Sequence, residues 1–189
     1  MPDRVKEAVF DILGAHYGTP GELPPLRVAD LFCGGGTMGL EAVSRGAASC
    51  VFFENGGEAL AALRKNLNAL GAGPELSVVR CDIYDGGIRL AKPRGPFDLL
   101  FVDPPYADAE DVSPAGRLPR LMRQLARATP PESEAILVLH HPHPVAYSTV
   151  DAGAWQVMDE RRYGSAGITL FGLPTEHDTR EPAHDGGAA

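Results

Sequence analysis

From Arg27 onward, short apolar runs alternate with amphipathic segments, and this alternation constrains the fold more than any other feature. Arg27–Phe32, Ser49–Glu54, Leu76–Arg80, Asp98–Asp103 and Ala135–His140 are each five or six residues long. Runs this short and this apolar read as strands buried on both faces. Thr37–Arg45, Glu58–Leu70 and Gly116–Ala128 carry helical spacing between them. In the second of these, Leu60, Leu63, Leu67 and Leu70 share one side, and Gly71 stops the helix. Strand–helix alternation predicts an α/β domain, a parallel sheet with helices on both faces. An opening helix is expected over Asp3–Tyr17, with Val5, Ala8, Val9, Ile12 and Leu13 on one face and Asp3 as N-cap. Trp155–Arg162 and Gly167–Leu173 are two closing strands.

A chain of 189 residues has room for one such domain, assigned here to residues 1–173. Residues 174–189 hold four acids, one Arg and nothing apolar larger than Ala or Pro, and are expected to be a disordered acidic tail. The N-terminus lacks a signal pattern, and no run approaches the ~18 to 20 apolar residues of a membrane span. A cytoplasmic protein without a membrane partner is expected. Three cysteines, Cys33, Cys50 and Cys81, are too few for a disulfide framework and lack metal-site spacing. The net charge of −8 excludes a nucleic-acid binder that is basic throughout, but not one with a local basic patch.

Ligands in such sheets lie beyond the C-terminal ends of the strands. After the first strand comes Asp30-Leu-Phe-Cys-Gly-Gly-Gly-Thr-Met-Gly39, in which Gly34, Gly36 and Gly39 fit G-x-G-x-x-G. That pattern alone also suits a plain strand-to-helix turn or an NAD(P)-dependent oxidoreductase. Asp30 counts against the latter. A carboxylate there would repel a pyrophosphate and accept an ammonium, so a cationic, amino-acid-like ligand fits better. Glu54 ends the next strand, where an acid can accept two ribose hydroxyls. Asp82, in Cys81-Asp-Ile83, is placed to accept from an adenine amine, although a turn Asp is an equal reading.

The sharpest segment is Asp103-Pro104-Pro105-Tyr106, directly after an apolar strand. Two prolines remove two backbone donors and stiffen the turn. This exposes a carboxylate and leaves the Pro104 carbonyl without a neighbouring N–H. The amine of a nucleobase is a poor nucleophile because its lone pair is delocalised into the ring. Two acceptors holding its hydrogens stabilise the positive charge that grows on nitrogen during attack. Tyr106 offers a face on which the base can stack.

This pair of motifs resembles the S-adenosylmethionine-dependent amino-group methyltransferases of class I. Asp3-Arg-Val-Lys-Glu-Ala-Val-Phe-Asp-Ile-Leu13 and Leu40-Glu-Ala-Val-Ser-Arg-Gly-Ala47 narrow the resemblance to the RsmD family, which methylates guanine N2 in small-subunit ribosomal RNA. The resemblance covers roughly residues 3–173. It implies a Rossmann-like sheet of about seven mostly parallel strands, the last antiparallel. S-adenosylmethionine is the implied methyl donor. Asp30, Phe32, Gly34, Gly36, Gly39, Glu54, Asn55, Asp82 and Ile83 would form its site. Asp103 to Tyr106 would hold the target base, and the implied partner is small-subunit rRNA or the assembling subunit. The family usually carries a β-hairpin before the opening helix; this sequence begins almost at that helix, so the hairpin is expected to be missing, unless Met1 is not the true start. The loop reads Cys33-Gly-Gly-Gly36 where the family more often has Ala-Gly-Ser-Gly.

Three further features carry weaker readings. Arg117, Arg120, Arg123 and Arg127 share a helical face and are either solvated or a phosphate-contact stripe. His140, His141 and His143 lie close together, but adjacent strand residues face opposite ways and Pro142 interrupts, so no metal is expected. Asp108, Glu110 and Asp111 form an acidic loop beside the motif, read as a mobile lid. The expected function is methylation of guanine N2 in small-subunit rRNA. The alternatives are adenine N6 of nucleic acid, a protein glutamine amide, or a non-catalytic assembly factor that binds donor or RNA.

Overall fold

The computed structural model describes residues 1–86, 96–130 and 133–174. The expected tail from residue 175 onward lies outside the described residues. Seven strands form one sheet in the order β3-β2-β1-β4-β5-β7-β6. They are β1 (Arg27–Leu31), β2 (Ser49–Glu54), β3 (Leu76–Arg80), β4 (Leu99–Val102), β5 (Ile136–Pro142), β6 (Gln156–Tyr163) and β7 (Ala166–Gly172). The first five pair in parallel, and β7 runs antiparallel to β5 and β6. This is the class I methyltransferase arrangement that the motifs imply. Among the described residues, no helix is long and apolar enough to cross a membrane.

Among the described residues, five α-helices flank the sheet: α1 (Asp3–His16), α2 (Thr37–Ser44), α3 (Gly57–Ala69), α4 (Tyr106–Glu110) and α5 (Arg117–Ala128). The core divides along the sheet. On one side Val9, Phe10 and Leu13 of α1, Met38 of α2 and Leu63 of α3 pack on Val28, Phe52, Leu99 and Phe101. On the other, Leu118, Leu121, Met122 and Leu125 of α5 pack on Leu31, Phe53, Val102 and Leu139. Phe10 meets the ring of Phe101 edge-on at 5.7 Å, which docks α1 against the central strands. Full burial of one such side chain is worth about 2–3 kcal/mol.

Three local expectations are corrected. Asp3 is not the N-cap of α1. Pro2 takes that place, with fixed φ suited to a helix entry, and Asp3 sits in the first turn. Leu70 is not part of the apolar side of α3. It is the C-cap, beyond the last helical residue Ala69, and is 67% exposed. The acidic segment after Tyr106 is not an open loop. Asp108 and Glu110 lie in α4 with Asp111 as its C-cap, and Ala109 of that helix is fully buried and accepts a hydrogen bond from the Tyr147 hydroxyl.

Candidate active site

The strand order reverses at β1, which has β2 on one side and β4 on the other. A crevice opens beyond the C-terminal ends of strands at such a point. Leu31 of β1 is in register with Val102 of β4, so the glycine turn and the Asp-Pro-Pro-Tyr turn leave the sheet side by side. The Asp103 N–H donates to the Leu31 carbonyl at 3.4 Å across the mouth of the crevice.

The glycine turn is built for close approach. Phe32 starts it with φ +61°, a conformation non-glycine residues seldom take. A side chain on Gly39 would strike Cys50 Sγ and Phe52 at 2.5 Å, and one on Gly36 would strike Leu63. These two glycines therefore let α2 sit down on β2 and α3. Gly34 differs: like Gly36 it has positive φ, but nothing lies within 4 Å of where its Cβ would be. Its open side faces away from the packed protein. Asn66 of α3 donates to the Gly35 carbonyl at 2.9 Å and pins the middle of the turn, a contact the sequence reading missed.

Glu54 lies where expected at the end of β2, but three backbone donors already use it. Gly34 N–H reaches one carboxylate oxygen at 2.9 Å, and Asn55 and Gly56 reach the other at 2.8 and 2.7 Å. A carboxylate offers about four acceptor sites. One remains for a hydroxyl, where the sequence reading expected two hydroxyls to be held. Phe32, Glu54, Asn55, Asp82 and Ile83 line one narrow cleft with Phe53 and Cys81. The structure thus brings five predicted donor-site residues together.

Asp30 departs from expectation. It is 2% exposed, and its carboxylate accepts the Gly39 N–H at 2.9 Å. Burial pushes its pKa up to about 7, with the Gly39 hydrogen bond opposing and the Asp103 and Glu54 charges adding. Asp30 braces the glycine turn from beneath and is not the open carboxylate pictured from sequence.

On the acceptor side, Pro104 is buried while Pro105 and Tyr106 are exposed. No N–H among the described residues donates to the Pro104 carbonyl. The Tyr106 ring is 47% exposed. One Asp103 oxygen takes the Met1 ammonium at 3.1 Å and the other meets His140 Nδ1 at 2.6 Å. Burial works to raise the Asp103 pKa. The His140 contact and the Met1 charge outweigh it and hold the carboxyl below its ordinary value. The His140 contact was not foreseen.

The arginine stripe divides. Arg117 turns toward the cleft, with its guanidinium 4.1 Å over the Tyr84 ring, 3.2 Å from Asp82 and 3.8 Å from Asp108. Arg123 is tied to Asp151 and to the Pro114 carbonyl. Arg120 and Arg127 are exposed. His141 bonds Thr169 at 2.9 Å within the sheet, away from the partner of His140. Burial raises the Cys33 thiol, which is therefore a poor nucleophile.

The model of the family described as conserved hypothetical protein 95 matches residues 1–172. The chain belongs to this family, the RsmD family. A relative from Bacillus subtilis, the putative rRNA methyltransferase YlbH, is 27% identical over 169 residues, 89% of this chain and 84% of the relative. Ribosomal RNA small subunit methyltransferase D of Escherichia coli is 35% identical over 104 residues, 55% of this chain and 48% of its own length. Among solved structures, the putative methyltransferase yhhF from Escherichia coli superposes with a TM-score of 0.71 at 28% identity, covering 92% of this chain and 86% of that one.

Proposed function

We propose that this member of the RsmD family transfers a methyl group from S-adenosylmethionine to the N2 amine of a guanine in small-subunit rRNA. The observation that carries the reading is the side-by-side exit of two turns from β1 and β4, one suited to a methyl donor and one to an aromatic amine. The names of the relatives support rRNA as the acceptor.

The donor side fits the group. Gly34 leaves room above the turn, Glu54 keeps one acceptor free, and Asp82 and Ile83 line the far wall of the cleft. The carboxylates of Glu54 and Asp103 make the crevice negative, which favours a cationic ligand. When bound, S-adenosylmethionine supplies an electrophilic methyl group, whose bond to sulfur breaks toward sulfur as the guanine nitrogen pair forms the new C–N bond.

The chain's own part is to hold the amine and bear its charge. Asp103 and the Pro104 carbonyl accept the two amine hydrogens, and Tyr106 stacks on the base. As nitrogen becomes positive, an ionised Asp103 strengthens its hold, which lowers the barrier. The surplus proton leaves the methylated nitrogen through Asp103 to solvent. Positioning supplies the remainder.

The deciding experiment is labelled-methyl transfer to unmodified small subunits, naked rRNA, duplex DNA and total protein, with products digested and identified. Label in N2-methylguanosine is the expected result. Label in N6-methyladenosine or methylglutamine would replace the acceptor. Donor binding without transfer to any of the four would overturn the enzymatic reading.

A further inference from the structure

We infer that His140 is a positioning residue for the transfer: it donates from Nδ1 to Asp103 and so aims the other carboxylate oxygen at the target amine. This rests on the amino-methylation reading above.

The contact follows from the sheet itself. β4 and β5 pair in parallel with Val102 opposite Leu139. One step further along both strands places Asp103 beside His140. The two anchors are unequal. Asp103 starts a turn whose next two residues have no backbone N–H. His140 remains within β5, paired with Ile168 of β7. The rigid strand therefore holds the carboxylate of the turn, and not the reverse.

The hydrogen-bond arithmetic fixes the direction. An ionised carboxylate has no hydrogen to give, so the hydrogen in the 2.6 Å contact belongs to Nδ1. His140 is 3% exposed, and its Nε2 is buried with no partner. The geometry thus places a hydrogen on Nδ1. With one oxygen engaged at a fixed angle, the plane of the Asp103 carboxylate is set. The second oxygen meets a nitrogen donor, the Met1 ammonium, at 3.1 Å. The same imidazole meets the Tyr106 ring edge-on at 5.8 Å and 64°. His140 therefore touches both the polar and the aromatic halves of the acceptor site without reaching the amine.

Two variants and one spectrum test this. His140→Phe keeps a flat ring and removes the donor. His140→Asn places an amide N–H at the same number of bonds from the backbone as Nδ1. Loss of orientation at the reacting centre costs roughly 10- to 100-fold in kcat. We expect that loss in H140F, with KM for donor and rRNA unchanged, and recovery of most of it in H140N. Melting temperatures identify a variant that has failed to fold. Full kcat in H140F, or equal losses in two folded variants, would overturn the role. In the wild-type protein, ¹⁵N resonances of His140 should show a protonated Nδ1; a bare Nδ1 would overturn it too. That spectrum needs no turnover. If the wild-type protein methylates nothing, the amino-methylation reading fails, and the catalytic role of His140 falls with it even where the Nδ1 hydrogen stands.

Discussion

Asp30 and Gly39 are joined by a 2.9 Å hydrogen bond from the glycine N–H to a carboxylate that is almost wholly buried. The bond ties the end of β1 to the first turn of α2 and fixes the loop between them. It also keeps an acid in a place that disfavours its charge.

The consequence is a pH-dependent stability. Burial first, then the nearby Asp103 and Glu54, raise the Asp30 carboxyl to about 7. A raised carboxyl contributes stability below its unfolded value of about 3.9, and that contribution is lost as pH rises through the folded value. Asp30→Asn keeps an oxygen for Gly39 N–H and removes the charge. The variant should gain on the wild type between about pH 5 and about pH 8, by a few kcal/mol at most. Thermal melts at the two pH values check this. An equal offset at both would show that Asp30 does not titrate in that window.

Asp103→Asn should separate chemistry from donor binding. The amide retains an acceptor oxygen but cannot bear a growing positive charge as a carboxylate does. The expected loss in kcat is about 10²- to 10³-fold, comparable to removing one preorganised charge-stabilising group. Donor affinity should stay close to wild type, because the donor cleft is lined by Phe32, Glu54, Asp82 and their neighbours. Single-turnover transfer and calorimetry with S-adenosylhomocysteine give the two numbers. A variant that keeps most of its rate would remove Asp103 from the chemistry.

Much of this was legible before the structure because it depends on local pattern. The five parallel strands are short apolar runs, and a strand buried on both faces has little alternative. Gly34, Gly36 and Gly39 were recognisable as a turn. Their division of labour was not, since it depends on Cys50, Phe52 and Leu63 from other elements. Asp30 was misread for a related reason: its position before the glycines shows that it is near the ligand, not which way its carboxylate turns. The His140 contact joins residues 37 apart in sequence. The register of two parallel strands, once assumed, would have revealed it. Arg117 shares a helical face with its three fellow arginines, and only the packing of α5 beside Asp82 and Tyr84 sets it apart.

Tyr106 should act through its face rather than its hydroxyl. The ring is 47% exposed and braced edge-on by His140, a geometry that leaves one face for a base. Stacking on an aromatic is worth about 1–3 kcal/mol per base. Tyr106→Ala should raise KM for rRNA by roughly 5- to 160-fold at that energy, and Tyr106→Phe should stay near wild type. Steady-state kinetics on small subunits discriminate the two. If Phe proved as damaging as Ala, the hydroxyl and not stacking would be the contribution.

The four arginines of α5 should give three different phenotypes. Arg117 spans Asp82 and Asp108 and covers Tyr84, so its reversal to Glu should weaken donor binding. Arg123 holds Asp151 and the Pro114 carbonyl, so its reversal should lower the melting temperature. Arg120 and Arg127 project from the helix into solvent and remain for phosphates. Each phosphate contact adds about 0.7 to 0.9 to the salt slope of binding. Reversing Arg120 and Arg127 together should lower that slope by about 1.5 and leave donor affinity and melting unchanged. Filter binding of rRNA across a salt series checks this. An unchanged slope would assign both side chains to a solvated face, the reading their helical spacing equally allowed.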